Sequence, residues 1–423
     1  MAAVEAETIE SGKPTTPVGG GFISAYTLAQ IGAFVSFMPL LQVLLPLKAE
    51  SIDPAGKAVV LSQVAIWGSL VASVANLLAG AVSDRTTSRL GRRRPWMILG
   101  ALCTVASYLA IKAADSTAEL LAGVIGFQLA FNMMFAALLA VLPDRVPDAQ
   151  KGRVAAFLSL GHPVGGMAGA LLVGGLLVDE GQRYLAIAAV LLVSIAPFAL
   201  GLKDAPLNPR ARPPMDWRGF VAGLWVNPLV HPDFGLAWIS RFMVLVAITL
   251  TQSYMLFYLQ DALHYSALFP GRRAEQGLAL LTTAATCANV ACAMIGGMLS
   301  DRLKRRKLFA AGAALVLAGA MVTFSMTPGW PVVLAGFVIF GCGAGCYYAV
   351  DIALVSTVLP SQRDVGKDLG VLNLANTLPQ ALAPMLALYF LGPSHVNYQA
   401  LYLVAAGLAL AGALTILPIR GVR

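Results

Sequence analysis

The chain has 423 residues, of which 58% are hydrophobic and 12% charged. A soluble chain carries roughly 25% charged residues, so this one cannot clothe two or three soluble domains with polar surface. Low charge, the lack of a Gly-X-Y period and only five cysteines exclude disorder, collagen and a disulfide scaffold, and the net charge of +8 sits in short loops between apolar runs, as membrane topology requires.

Residues 1–20 read as a cytoplasmic tail without the basic n-region of a signal peptide. A bilayer core of about 30 Å takes about 20 apolar residues as a helix. The apolar runs predict twelve such spans, at 21–47, 58–82, 96–113, 118–142, 153–178, 183–202, 235–260, 275–299, 308–327, 331–359, 368–392 and 398–418. The expected fold class is thus an all-α membrane protein. Its N-terminal six-helix half covers 21–202, its C-terminal half 235–418, and a second short tail 419–423. The proline-rich stretch 203–234 reads as a cytoplasmic linker. Within it, an amphipathic surface helix over Trp217–Val230 and an unstructured segment are both compatible with the residues.

Of the 29 Lys and Arg residues, 22 fall in one set of loops and tails, 6 in the other set, and Arg241 lies inside a span. Basic residues mark the cytoplasmic side. A multi-pass protein of the cytoplasmic membrane with both termini inside is expected. The cysteines, Cys103, Cys287, Cys292, Cys342 and Cys346, all lie in apolar runs with no metal or haem spacing, and read as packing residues. No cofactor or metal is expected.

The chain repeats internally. Gly80-Ala-Val-Ser-Asp84-Arg85 after span 2 returns as Gly297-Met-Leu-Ser-Asp301-Arg302 after span 8, at an offset of 217 residues. Leu142-Pro143 and Leu359-Pro360 share that offset. Two copies starting on the same side are parallel repeats, an arrangement suited to a carrier that rocks its halves about a site between them.

The loop Gly80-x-x-Ser83-Asp84-Arg85-x-x-Ser88-Arg89-x-Gly91-Arg92-Arg93-Arg94-Pro95 resembles the signature loop of the major facilitator superfamily. Its longer form is similar to that of the glycoside–pentoside–hexuronide cation symporters and the plant-type sucrose–proton symporters. Span 1, with Gln30, Gly32, Pro39 and Gln42, is similar to the first helix of the sucrose carriers. The resemblance implies a secondary active transporter in which helices 1, 4, 7 and 10 line a central cavity. It also implies proton-coupled symport of a sugar or glycoside by alternating access. The sodium-coupled relatives carry acidic residues in helices 2 and 4. The interiors of spans 1, 2 and 4 have none here, so coupling must use other groups.

The signature residues Gly80, Asp84, Arg85, Arg89, Gly91, Arg92 and Arg93, with Gly297, Asp301 and Arg302, read as a cytoplasmic latch. Gly80 would let the helix end approach a neighbour. Asp84 would meet the start of span 11 near Gly366–Asp368, and Asp301 the start of span 5 near Lys151–Arg153, each at a positive helix end. The competing reading is a cluster that only sets topology.

Charges inside spans are costly and therefore candidates for function. Arg241 in span 7 and Asp351 in span 10 have matched depth and opposite sign, which suits a coupling group or inner gate; a permanent structural pair is the alternative. His162, in Gly161-His162-Pro163, titrates near neutrality, and reads either as a proton carrier or as a neutral imidazole beside the carbonyl that the proline frees. Gln30, Gln42, Gln128, Asn132, Gln252, Tyr254, Tyr258, Tyr347, Tyr348, Asn289, Asn373, Asn376 and Gln380 offer the amide and phenol groups a hydroxyl-rich solute favours. Taken singly, each fits an interhelical hydrogen bond better.

Gly341-x-Gly343-x-Gly345 lies mid-span with no preceding strand, so it is no nucleotide loop. Gly341 and Gly345, like Gly161 and Gly165, read as helix-packing faces. The expected partners are a small sugar-like solute, a proton and membrane lipid, with no nucleic acid, and the expected state is a monomer that is not an enzyme. An efflux antiporter for amphipathic compounds and a non-transporting receptor or assembly factor on the same fold are the competing functions.

Overall fold

A computed structural model describes residues 16–202, 204, 230–327, 329–357, 365–392 and 395–419. The linker segment 205–229, and with it all of Trp217–Val230 except its last residue, lies outside them. Twelve long helices follow in order among the described residues. They are α1 Gly20–Ile52, α2 Lys57–Ser83, α3 Arg94–Ala113, α4 Thr117–Arg145, α5 Ala149–Leu176 and α6 Glu180–Gly201. The series continues with α7 Pro232–Asp261, α8 Ala274–Leu303, α9 Arg306–Ser325, α10 Trp330–Thr357, α11 Val365–Phe390 and α12 Tyr398–Ile416. A two-residue antiparallel pair, Leu391–Gly392 with His395–Val396, closes the turn between α11 and α12.

The helix ends lie within a few residues of the apolar runs, because there the free backbone N–H groups find caps. Ser116 Oγ accepts from the Glu119 N–H at α4, Asp179 from Gln182 at α6, and Asn397 from Ala400 at α12. Pro95 stands in the first turn of α3, where its missing N–H costs nothing. Large apolar side chains such as Leu109, Leu185 and Val193 are exposed along the helices, the pattern of a protein solvated by hydrocarbon.

The chain packs as two compact units. The first takes the described residues up to Pro39, Val71–Leu172, and the stretch from Leu177 through α6. The second takes Leu40–Leu70, Val173–Leu176 and everything from α7 onward. These units do not coincide with the sequence halves 21–202 and 235–418. α1 and α5 each change unit at a π-helical segment, Leu40–Leu44 in α1 and Ala170–Leu176 in α5.

In the first unit, Phe37, Phe127, Phe131 and Phe135 form a continuous aromatic stack. Beside it, α1 and α5 pack through a glycine stripe. A Cβ at Gly161 would meet Gln30 and Phe34, one at Gly165 Phe34 and Val35, and one at Gly169 Pro39. α5 loosens at Ser159–Leu160, because Pro163 has no N–H for the Ser159 carbonyl. In the second unit, Gly341 and Gly345 of α10 lie against the Ala285 and Asn289 carbonyls of α8. Both glycine pairs are therefore close-packing faces. Tyr258, Phe324, Phe337 and Tyr402 make the aromatic core there.

Gly165→Val should lower folded yield and melting temperature, since its added carbon falls 2.9 Å from the Val35 nitrogen. Overpacking of this kind costs about 1–3 kcal/mol. Gly166→Val is the internal control. It has the same helix propensity, but its Cβ meets only Met38 at 3.9 Å. Equal melting of the two variants by fluorescence thermometry would show that the stripe does not set helix contact.

Candidate functional site

Tyr347, Tyr348 and Asp351 of α10 fall at helical spacing on one face, and Arg241 of α7 meets that face. The Arg241 guanidinium forms an ion pair with Asp351, whose side chains are 12% and 6% exposed. Its Nη2 and Nε also donate to Asn376 Oδ1 of α11, at 2.8 and 3.3 Å. Tyr347 and Tyr348 are its electrostatic neighbours. The planar fork presents separate N–H donors to the carboxylate and to the amide, and neither charge could remain alone at this burial.

Other polar candidates are committed to neighbours. Tyr254 is fully buried and shares a hydrogen bond with Ser62 of α2. Tyr258 is fully buried and donates to the Phe324 carbonyl at 3.1 Å. Both were expected as cavity walls, and both are interhelical ties. Asn289 presents its carbonyl to Gly345 as described above. Gln252 and Gln42 are half-buried, and Gln380 is exposed. The side chain of Asn373 lies outside the described residues.

The first unit has its own polar chain. Asn76 of α2 donates to Asn132 Oδ1 at 3.3 Å, and Asn132 donates to the backbone and side-chain oxygens of Gln128 at 2.8 and 3.2 Å. Gln30 is buried, and its Oε1 has no hydrogen-bond partner among the described residues. His162 is exposed and meets Phe34 edge-on at 5.3 Å. The expected hydrogen bond from His162 to a freed carbonyl is not among the bonds of the described residues.

The signature loop is held within the first unit. Arg93, 4% exposed, donates from Nε to Asp144 at 2.8 Å and from Nη1 to Ser83 at 2.9 Å, and pairs with Asp84. Arg92 adds a second contact to Asp144 at 2.7 Å. Burial disfavours the Arg93 charge, but Asp144 and Asp84 outweigh it and hold the guanidinium above its ordinary pKa. Asp204 Oδ2 accepts from the Arg94 N–H at 3.0 Å and from the Arg93 N–H, capping α3. Gly91 makes this possible. Its φ of +101° is in the left-handed region, and a Cβ would fall on the Asp204 carboxylate. Arg85 caps the Ala81 carbonyl at the end of α2, and Arg89 and Arg302 are exposed.

One latch expectation changes. Among the described residues Gly80 makes no close approach, since a Cβ there would meet nothing within 4 Å, and Gly297 makes only ordinary contact with Ala349. Among the described residues Asp84 pairs with Arg93 of its own loop. The side chains of Asp301 and of residues 366–368 lie outside the described residues.

Sequence reasoning missed Asn76, Ser62, Asp144 and Asp204. Asn76 was legible as a lone amide within an apolar span; the others look like ordinary helix-end or packing residues. Among the described residues no cluster of His, Cys, Asp or Glu is placed to hold a metal. A groove of about 540 Å³ lined by Ala106, Ala110, Ala122, Gly123 and Gly126 involves none of the polar clusters.

A family-wide profile of the Major Facilitator Superfamily matches residues 20–274 and 272–422. No curated protein matches the chain. Among solved structures, the fold is similar to that of a peptide transporter POT in complex with sulfate, at TM-score 0.75 and 14% identity over 98% of this chain and 97% of that one. It is similar to the nucleoside transporter NupG at TM-score 0.70 and 11% identity, covering 93% and 99%. It is also similar to the human organic anion transporter TETRAN at TM-score 0.60 and 19% identity, covering 93% and 98%.

Proposed function

Since the chain belongs to the major facilitator superfamily, and is a multi-pass membrane transporter rather than an enzyme, we propose that it carries a sugar or glycoside in symport with protons by alternating access. We further propose that it resides in the cytoplasmic membrane with both termini and the signature loop inside, as the 22-to-6 division of basic residues favours.

The buried pair Arg241–Asp351, with Asn376 on the same guanidinium, carries the reading. A proton arriving at Asp351 neutralises it and weakens its hold on Arg241. Asn376 then keeps the guanidinium from being stranded, and the released N–H donors turn to the solute. A hydroxyl-rich solute accepts such bonds without placing a second charge in the site. Tyr347 is fully buried, and Tyr348, half-buried on the same face of α10, supplies the apolar wall that sugar C–H groups prefer.

The test is uptake of labelled saccharides into proteoliposomes with and without an inward proton gradient. Accumulation above equilibrium, abolished by a protonophore, is the expected result. Saccharide uptake indifferent to the gradient would remove proton coupling, and failure of every saccharide would remove the solute class.

A further inference from the structure

At the end of α2 opposite the signature loop lies a second ionic cluster that the transport reading does not use. Lys57, the first residue of α2, is only 9% exposed. Its Nζ reaches Glu50 of α1 at 3.1 Å, Asp261 of α7 at 2.7 Å and Gln260 Oε1 at 2.9 Å. It also stands 4.9 Å above the Phe257 ring. Gln260 Nε2 returns a bond to Glu50 at 2.9 Å, and Tyr398 of α12 donates to Asp261 at 2.7 Å. One layer deeper, Ser62 is fully buried against Tyr254.

We propose that Glu50, Lys57, Gln260, Asp261 and Tyr398 form a reversible lock joining the α1–α2 hairpin to α7 and α12, built so that opening it leaves Lys57 and Glu50 paired and Asp261 hydrogen-bonded and open to water. The bonds divide into two kinds. Lys57–Asp261, Lys57–Gln260 and Gln260–Glu50 cross from the hairpin to α7, and they break when the hairpin leaves. Lys57–Glu50 lies within the hairpin, and Tyr398–Asp261 lies within the other partner, so both survive. The open hairpin keeps a neutral Lys57–Glu50 pair, and Asp261 keeps a phenol donor. Breaking a buried pair is expensive chiefly because one charge is left without a partner. Here Lys57 and Glu50 retain each other, while Asp261, whose side chain is already 33% exposed, retains the Tyr398 donor and gains water as the hairpin leaves, so closed and open arrangements are close in free energy, as a switching element requires.

This division gives Glu50 and Lys57 opposite effects. Lys57→Met removes the crossing tie and favours the open form. Glu50→Gln keeps the Lys57–Asp261 pair, and its amide oxygen still accepts from Gln260. It removes the partner on which Lys57 relies once the hairpin has left, and so it favours the closed form.

The lock gives the transport reading its gate, but its test needs no solute. In the full chain with its five cysteines replaced by alanine, Ser62→Cys reports opening through its rate of alkylation by a water-soluble maleimide in nanodiscs. Lys57→Met should raise that rate about two- to fivefold, the range of a single partly exposed ion pair, and Glu50→Gln should lower it by a similar factor. Asp261→Asn should also raise it, and serves if Lys57→Met folds poorly. A cluster that merely stabilises the fold would speed labelling in every variant. Shifts of the same sign in Lys57→Met and Glu50→Gln, or no shift, would overturn the proposal. Opposite shifts in a protein that takes up no saccharide would leave the lock standing and remove only the solute reading.

Discussion

Asp351→Asn is expected to abolish solute accumulation against a gradient. The change deletes the carboxylate that pairs with Arg241 and leaves a buried guanidinium with amide acceptors alone. Removing one partner of a buried pair costs roughly 3–5 kcal/mol. The lower end applies here, because Asn376 goes on accepting at 2.8 Å. If Asp351 carries the proton, exchange of solute across the membrane without a gradient survives better than uphill uptake. If the pair serves packing alone, folded yield falls instead, and Arg241→Gln/Asp351→Asn restores both yield and accumulation. Uphill transport by that double variant, measured in the proteoliposome assay, would show that Asp351 is not the coupling group.

Arg93→Ala is expected to cost about 3 kcal/mol of stability, the scale for stranding a buried carboxylate. Arg93 is the common partner of Asp84, Asp144 and Ser83, and so ties the ends of α2 and α4 to the start of α3. Without it Asp144 keeps Arg92 alone among the described residues, while Asp84, half exposed, recovers much of its hydration. Arg93→Lys keeps the charge but cannot serve three acceptors with a planar fork, so it should fall between the two. Adding Asp144→Asn to Arg93→Ala should return part of the loss by removing the stranded charge. Thermal unfolding in detergent orders the four proteins, and an Arg93→Ala melting point equal to that of the parent would deny the loop its structural role.

The twelve helices were legible because hydrocarbon permits few alternatives. A backbone without water must satisfy itself within a helix, so every apolar run of sufficient length becomes one. The Arg241–Asp351 contact was legible for a related reason, since isolated charges at matched depth have few other partners. For Tyr254 and Tyr258 the sequence left both uses open, because a phenol facing a solute and one bonded to Ser62 or the Phe324 carbonyl occupy the same kind of position in sequence. Glu50, Lys57, Gln260 and Asp261 look like solvated helix ends. Their burial depends on which ends meet, and no local pattern encodes that. Gly80 shows the converse, since a signature glycine suggested a close approach that is not made among the described residues.

The π-helical segment of α1 bears on the numbering of the chain itself. A π turn accommodates one residue more than the α-helical turn it replaces, and each residue advances a helix by about 100°. Gln30 and Glu50 lie on either side of Leu40–Leu44, so their angular phase about the helix axis depends on that surplus residue. The length of the segment joining them is therefore constrained independently of its composition. Apolar substitutions between them keep the phase, whereas a gain or loss of one position would turn Lys48 and Glu50 about a quarter of a revolution away from the surfaces they now face. In comparing this chain with its relatives, single-residue gaps in α1 and α5 carry more structural information than the side-chain differences around them.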